Sequence, residues 1–571
     1  MVAQSGELVH ARITSARYYA APDVALRDVE LSINPGEFVV ITGPAASGKS
    51  TLCYCLTGVI PHSISAELEG DVVVAGHRLR DLRLPEVAPL LGFVMQAPEN
   101  QLFNLSVRED VSFGPENLCL ALEDIQQRVI TSLRFTGMTE YVERQSDQLS
   151  GGEAQRVVLS CLLALGAPLL VLDQPAAELD PEGRRQVYAN LHRLNSEGKT
   201  IVVVEDRLGD VAGFASRIVL MQAGTVVADE PIREFFARTD LESFGVRVPD
   251  TVLLHHYLKE RGLNSEVVPL TVEEVVEGLV GMEQPAAQKA TVPEAATGPA
   301  TSPLIAISHL SYRYPNGTRA LEDVSLSCDR AEFLAIIGEN GAGKTTLAKH
   351  LIGLLPPAPG TVLVAGNDIA GLSVAQASRL VGYLFQDPDY QIFNGSVFDE
   401  VAFGLRARRL PRAEVEKKVV VALRRLKLDH LRGEHPYTLS RGQRQRLALA
   451  STWVLQPPIL LVDEPSTGLD YREAADLMGV LEEFRAGGGT VLIITHDLEL
   501  VFEYAHRVVV MRDGTVRLDL PTARVQERFD EVSAAGVHLP QFMHLVNALT
   551  LPPSINGVAT LGEAVLAGLR R

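Results

Sequence analysis

One glycine-rich motif occurs twice in this chain, and its surroundings are duplicated with it. Gly43 to Thr51 reads GPAASGKST, and Gly338 to Thr346 reads GENGAGKTT. Both fit G-x-x-x-x-G-K-[ST], a loop whose backbone N–H groups wrap nucleotide phosphates. Lys49 and Lys344 stand 295 residues apart, as do Tyr19 and Tyr314. Gln96 and Gln386, Ser150 and Ser440, and Asp173 and Asp463 are each 290 apart, and Glu205 and His496 are 291 apart. Further on, Gly245 and Pro249 match Gly536 and Pro540 at 291. Thr271, Glu274 and Val276 match Thr560, Glu563 and Val565 at 289. Near-constant offsets of this size mean duplicated domains. The boundaries read as 1–228 for a first nucleotide-binding domain, 229–281 for its appendage, 304–518 for a second domain and 519–571 for its appendage. Between them, 282–303 is rich in Pro, Ala and Thr and reads as a linker.

Short apolar runs, FVVITG (Phe38 to Gly43) and FLAIIG (Phe333 to Gly338), lead into the loops. LLVLD, ILLVD, TIVVVE and TVLIIT are runs of the same kind. Strands apolar on both faces belong in a parallel sheet covered by helices. The expected class is therefore α/β, with a mixed, mostly parallel sheet in each domain. The longest apolar stretch, Leu159 to Leu172, is broken by Ser, Cys, Gly and Pro and reads as a helix end followed by a buried strand. No apolar run is long enough to predict a transmembrane helix. The N-terminus lacks the basic-then-apolar pattern of a signal peptide. Five scattered cysteines read as reduced, buried thiols of a cytosolic protein. A formal charge of −19 argues against broad nucleic-acid binding, which needs a basic footprint, and leaves room only for a local basic patch.

The loops carry a specific chemistry. Lys49 and Lys344 are placed to reach β- and γ-phosphates, and Ser50 and Thr345 to ligate Mg²⁺. Asp173 and Asp463, each ending an apolar run, are expected to hold the metal from its second side. The next residue differs: Asp463-Glu464-Pro465 in one copy, Asp173-Gln174-Pro175 in the other. A carboxylate able to take a proton from water is present once and replaced by an amide once.

Just before the aspartate runs lie LSGGEAQR (Leu149 to Arg156) and LSRGQRQR (Leu439 to Arg446). With these, almost the whole chain resembles the ATP-binding cassette (ABC) ATPases, whose signature is LSGGQ. The resemblance implies a helical signature subdomain in each domain and ATP with Mg²⁺ as cofactors. Nucleotide contacts would come from Gly43, Gly48, Lys49, Ser50, Thr51 and Asp173, and from Gly338, Asn340, Gly341, Gly343, Lys344, Thr345, Thr346 and Asp463. Gln96 and Gln386 match the Q-loop glutamines and would join Ser50, Asp173, Thr345 and Asp463 at the metal. Glu464, His496 as the switch histidine, and Gln386 would be catalytic. Glu178 to Asp180 and Gly468 to Asp470 match D-loops. Tyr19 and Tyr314 match the aromatic that stacks on adenine, with Tyr18 and Tyr312 as near competitors.

ABC ATPases pair head to tail, so Ser150, Gly151, Gly152, Ser440 and Gly442 would face the opposite domain's nucleotide. One composite site would combine Lys49, Asp173, Gln174 and Glu205 with LSRGQ. The other would combine Lys344, Asp463, Glu464 and His496 with LSGGE, whose one departure is Glu153. The first is expected to be impaired. Gln174 removes a base worth about 10²- to 10⁴-fold. Glu205 is expected to set an anion near the γ-phosphate. Arg441 replaces a signature glycine and either crowds the phosphate, swings away or reaches it.

After each Q-loop glutamine the chain reads QAPENQLFNLSVREDVSFGPENL and QDPDYQIFNGSVFDEVAFGL. These stretches, and PLTVEEVVEGL at Pro269 to Leu279, are similar to the ATPases of energy-coupling factor (ECF) transporters. That resemblance implies import of a vitamin or other micronutrient, powered from the cytoplasmic face of the cell membrane by a peripheral subunit. It implies two partners, a membrane coupling protein and a substrate-binding membrane protein. Pro98 to Phe103 and Pro388 to Phe393 would line grooves for helices of the coupling protein. Glu99, Asp389, Glu109, Asp110, Asp399 and Glu400 would be acceptors for its basic side chains. Two alternatives stay open: the ATPase of another ABC transporter class, and a soluble tandem ABC protein acting on ribosomes. The transported substrate is not encoded in an ATPase that never touches it.

Overall fold

Every residue of the strand Phe38–Thr42 is buried, and its side chains alternate between two cores. Phe38 and Val40 pack with Val158, Tyr188 and Leu191. Val39 and Ile41 pack with Leu52, Cys53 and Leu56. Period-two alternation between two apolar layers is what a covered central strand requires. The computed structural model describes residues 6–19, 23–96, 98–177, 179, 181–263, 267–279, 303–467, 469, 471–551, 555 and 557–569. They fall into two compact units, within Met1–Gly281 and Met282–Arg571. The linker 282–303, apart from Pro303, and Glu178, Asp180, Gly468 and Asp470 of the expected D-loops lie outside the described residues.

In the first unit, the six-stranded sheet runs Thr225–Pro231, Arg217–Gln222, Phe38–Thr42, Thr200–Val204, Leu169–Asp173, Leu91–Val94. All neighbours are parallel except the edge hairpin formed by Arg217–Gln222 and Thr225–Pro231. Leu26–Ile33, Val9–Tyr18, Ala66–Val74 and His77–Arg78 form an antiparallel sheet whose inner residues share the core of Val39 and Ile41. The second unit repeats both sheets, with Phe333–Ile337 in the central place and Ile305–Arg313 in the antiparallel layer. The class is α/β, as the apolar runs implied.

Helices Val107–Asn117, Leu122–Phe135 and Gly151–Leu165 build a separate helical layer with its own core of Val107, Val111, Val129, Leu133 and Val157. The stretch Leu159 to Leu172 divides as expected: the helix ends at Gly166, whose φ of 84° gives a left-handed cap, and the strand starts at Leu169. No described helix is long and apolar enough to cross a membrane. All five cysteines are free thiols, and Cys53, Cys55 and Cys328 are buried. Cys119 corrects the expectation of burial: it is exposed in a turn beyond the helix Val107–Asn117.

Each unit ends in short helices, among them Asp250–Glu260 and Val272–Leu279 in the first and Gln541–Ala548 and Val558–Leu569 in the second. The offset of 289 is not kept here. Thr271 precedes its helix and its hydroxyl accepts the Glu274 N–H at 3.3 Å, whereas Thr560 lies inside its helix. Glu274 is held by Arg233 at 2.7 Å, while Ala523 stands at Arg233's place in the second unit and offers no such partner.

Candidate nucleotide sites

Each phosphate loop is a strand, a tight glycine turn and a helix N-terminus. Gly43 and Gly338 have φ of 145° and 148°, and a Cβ at either would lie 2.1 Å from a backbone oxygen, of Met221 or Met511. Only glycine fits there. Helices Lys49–Leu56 and Lys344–Leu351 start on Gly48 and Gly343, both left-handed, so their first N–H groups open onto the loop. That is an anion-binding geometry. Both lysines are buried and folded onto their own loops. Lys49 donates to the carbonyls of Gly43 and Pro44, and Lys344 to those of Gly338 and Glu339 at 2.8 and 2.9 Å.

In the second unit these groups open into a cleft of about 280 Å³. Tyr314, Asn340, Gly341, Lys344, Thr345, Thr346, Gln386, Asp463 and Glu464 are among the residues that line it. Asp463 is buried. Its Oδ2 accepts from Thr345 Oγ1 at 3.2 Å and from the Tyr383 hydroxyl at 2.9 Å, while Oδ1 has no hydrogen-bond partner. Burial, helped by the nearby Glu464, pushes its pKa up. An orphaned carboxylate oxygen beside a threonine hydroxyl and an amide suits a hard, oxygen-seeking cation, so the residues fit Mg²⁺. A bound Mg²⁺ would neutralise phosphate charge there. In the first unit Asp173 is also buried, with its pKa raised by burial, and is hydrogen-bonded by Ser50. Sequence reasoning misses Tyr383, which lies outside the motifs. Its counterpart at the 290 offset is Phe93, which has no hydroxyl to offer Asp173.

The residues after these aspartates sit in strained, left-handed backbone, with φ of 48° at Gln174 and 47° at Glu464. The Glu464 N–H bonds to Ile494 O at 2.8 Å and that of Gln174 to Val204 O at 3.1 Å. Their side chains do different things. Glu464 Oε2 lies 2.8 Å from His496 Nδ1. Gln174 accepts from Gln96 Nε2 at 2.7 Å and donates to Asp206 Oδ2 at 2.7 Å. Asp206 Oδ1 in turn stands 3.3 Å from Lys49 Nζ.

Glu205 is a correction. It does not point an anion at the phosphate loop. It is buried, with its carboxylate taken by the Tyr188 hydroxyl and by the N–H groups of Asp206 and Arg207 at 2.8 and 2.7 Å. Burial, with Asp210 nearby, pushes its pKa up to about 7. The carboxylate that faces Lys49 is Asp206. The 291 pairing of Glu205 with His496 is also corrected, because the strands align at 290. Glu205 stands at the place of Thr495, whose hydroxyl takes the Asp497 N–H as Glu205 takes that of Arg207, and Asp206 stands at the place of His496.

The tyrosine pairing also needs correction. The Tyr314 hydroxyl lies 3.2 Å from Thr346 Oγ1, and in the first unit Tyr18, not Tyr19, makes the same contact with Thr51 at 3.0 Å. Tyr19 is 75% exposed. The hairpin joining the first two strands is one residue longer in the first unit, where Ala16 pairs with Leu26, than in the second, where Tyr312 pairs with Leu321, so an offset of 295 does not hold on the first strand.

Ser150 and Ser440 cap the signature helices Gly151–Leu165 and Arg441–Trp453. Glu153 and Gln443 close the same reciprocal box, accepting from the serine N–H at 2.7 and 2.9 Å. Glu153 therefore substitutes for glutamine without changing local geometry. Burial opposes its ionisation, but Ser150, Tyr141 and Arg144 outweigh that and lower its pKa. A Cβ at Gly151 would meet nothing within 4 Å, so the corresponding Arg441 has room at the helix start. Gly442 is tighter: a Cβ there would lie 2.6 Å from the Glu473 carboxylate.

Beyond the Q-loop glutamines, Phe103 and Phe393 are 65% and 63% exposed. Each meets a second phenyl edge-on, Phe113 or Phe403, at 4.8 Å. Two expected acidic acceptors are instead internal. Asp110 takes the N–H groups of Phe103 and Asn104, and Glu400 those of Phe393 and Asn394. Glu109 likewise caps its own helix, and Asp399 pairs with Arg406 at 2.8 Å. Asp389 is paired with Arg444 at 2.8 Å. The Glu99 side chain lies outside the described residues.

The ABC transporter family pattern matches residues 26–177 and 321–467. Over 530 residues the chain is 40% identical to an ABC transporter ATP-binding protein of Methanosarcina acetivorans, across 90% of this chain and 86% of that one. It is 35% identical over 537 residues to a relative of the same description from Caldanaerobacter subterraneus, across 92% and 93%. Among solved structures it is similar to cbiO1 from Clostridium perfringens, part of the ABC transporter complex cbiONQ. The identity is 34% and the TM-score 0.38, over 43% of this chain and 99% of that one. The chain belongs to the ABC transporter ATP-binding family. It is an ABC ATPase, an ATP-binding and ATP-hydrolysing subunit of a transporter.

Proposed function

We propose that this ATPase powers an ECF-type importer of a vitamin or other micronutrient, hydrolysing ATP at the Lys344 loop and retaining nucleotide at the Lys49 loop. The observation that carries the division of labour is the residue next to each metal-site aspartate. Glu464 is a carboxylate set against an imidazole at 2.8 Å, an arrangement that can orient water and take its proton. Gln174 is an amide bonded to another amide and to Asp206, with no base to offer. In this reading the two domains, 1–228 and 304–518, pair head to tail, each signature completing the other's site with Mg²⁺ bound.

The importer class is supported by the pattern Q-x-P-x-x-Q-[LI]-F and by the exposed phenyl pairs beside it. Paired phenyls on the surface of both units suit apolar helices of a membrane coupling protein better than water. The chain would then sit peripherally on the cytoplasmic face, with a substrate-binding membrane protein completing the complex. Purification from native membranes, with partners identified by mass spectrometry, tests this. A coupling protein with a small substrate-binding membrane protein is expected. Recovery with ribosomes, or with a permease pair lacking a separate substrate-binding membrane subunit, would sink the reading.

A further inference from the structure

Four side chains of the first unit form one polar chain that ends on the phosphate-loop lysine. Gln96 donates to Gln174 at 2.7 Å, and Gln174 donates to Asp206 at 2.7 Å. Asp206 Oδ1 stands 3.3 Å from Lys49 Nζ. Lys49 is buried, while the Asp206 side chain is 31% exposed and faces the loop. The ammonium that a nucleotide's terminal phosphates need is thus already matched by a carboxylate of the protein. Gln174 has a positive part in this. Its amide donates a proton to Asp206, whereas a glutamate there would set two like charges together. In the second unit His496 holds the place of Asp206 and engages Glu464, the counterpart of Gln174, at 2.8 Å.

We propose that Asp206, fixed by Gln174, stands in for a terminal phosphate at Lys49 and biases the first site towards nucleoside diphosphate over triphosphate. The proposal rests on, and deepens, the reading of this loop as a nucleotide site. ATP must draw Lys49 from Asp206 and then leave its γ-phosphate beside the released carboxylate. ADP lacks that phosphate and meets less of the repulsion. Like charges a few ångströms apart at a partly exposed site repel by enough to change affinity severalfold or more.

The test uses the full chain carrying Lys344→Ala, which silences the second loop, with Mg²⁺ present. ATP and ADP affinities are read by displacement of a fluorescent ATP analogue. Asp206→Asn should tighten ATP about tenfold, equivalent to about 1.4 kcal/mol, and ADP by less than threefold. Gln174→Ala removes one donor to Asp206 but keeps the carboxylate's charge, so it should give a smaller gain with the same bias towards ATP. It carries the test alone if Asp206→Asn does not fold. Equal gains for both nucleotides, or no gain for ATP, overturn the proposal. Weaker ATP binding in Asp206→Asn also overturns it and assigns the carboxylate to the metal. A Lys344→Ala parent that binds neither nucleotide overturns the nucleotide-site reading itself, and the proposal with it.

Discussion

Arg444 reaches Asp389 across 2.8 Å, joining the signature helix of the second unit to the segment beyond its Q-loop glutamine. Gln391 strengthens the link, donating to Ala448 O at 3.1 Å and to Thr452 Oγ1 at 2.8 Å on the same helix. The first unit is wired differently. Gln101, the counterpart of Gln391, bonds to Phe93 O and the Met95 N–H at 3.0 and 2.9 Å, on the strand leading to Gln96. The cause is legible in the signature helix: Arg444, Ser451 and Thr452 are replaced by Ala154, Cys161 and Leu162.

Because the ion pair is partly exposed, Arg444→Ala should lower unfolding stability by less than about 1 kcal/mol. Thr452→Val removes a buried hydroxyl from the Gln391 amide and should cost more, about 1–2 kcal/mol. Denaturant titration of both variants checks the order. A larger loss from Arg444→Ala would mean that the ion pair, not the amide, ties the segment to the helix.

Turnover should depend on Glu464. Its carboxylate is oriented by His496 in the cleft that holds Thr345 and Asp463. Glu464→Gln should reduce steady-state ATPase by about 10²-fold or more while ATP binding persists. Retention of more than about a third of the activity would show that the Gln174 site turns over on its own.

The fold is readable in the sequence because buried parallel strands are continuous apolar runs, as Phe38–Thr42 and Ile459–Asp463 are. The phosphate loops are readable because only glycine fits against Met221 O and Met511 O. The switch position is misread by one residue: an offset of 291 pairs Glu205 with His496, but the strands on either side run at 290, which puts Glu205 at Thr495 and Asp206 at His496. Only the placed side chains show that Asp206, and not Glu205, meets Lys49. Tyr18 takes the place expected of Tyr19 because the hairpin after it is one residue longer than its counterpart, which a constant offset does not allow for.

Restoring a base to the first site should achieve little. Gln174→Glu would lose the donor to Asp206 and set a carboxylate against it, where the amide now bonds at 2.7 Å. The single change should raise turnover by less than about twofold, because the general-base gain needs a correctly placed group. Steady-state ATPase measured in the Glu464→Gln background reads this site alone. A large gain there would show that the amide was its one defect.

Glu205 predicts a pH dependence of stability. Its folded pKa is about 7, raised by burial, against an ordinary value of 4.5. The folded state therefore holds this proton more tightly than the unfolded chain does. Its contribution is fully present below about pH 4.5, falls as pH rises, and is lost above about pH 7. Over that window the loss is of order 3 kcal/mol. Glu205→Gln keeps an acceptor for the Tyr188 hydroxyl and removes the titration. Denaturant melts at pH 5 and pH 8 should show a smaller stability difference in the variant than in the parent. Equal pH slopes in both would place the carboxylate in a more solvated setting.

Membrane docking should rest on phenyl rings rather than on acidic side chains. Asp110 and Glu400 are committed to the backbone of the segments they hold, and Asp389 to Arg444. Phe103 and Phe393 are exposed apolar groups beside the Q-loops, as are Leu105 and Tyr390, and each phenyl is braced edge-on by a second ring. Transfer of such a ring from water into a partner's groove contributes about 1.5–3 kcal/mol. Phe103→Ser with Phe393→Ser should therefore weaken co-purification with membrane partners by tenfold or more. The melting temperature of the isolated chain should hardly move, since exposed rings contribute little to its own core. Asp389→Asn alone should have a much smaller effect on assembly. If that single substitution abolishes co-purification while the double phenylalanine variant assembles normally, charge carries the interface and the phenyl pairs do not.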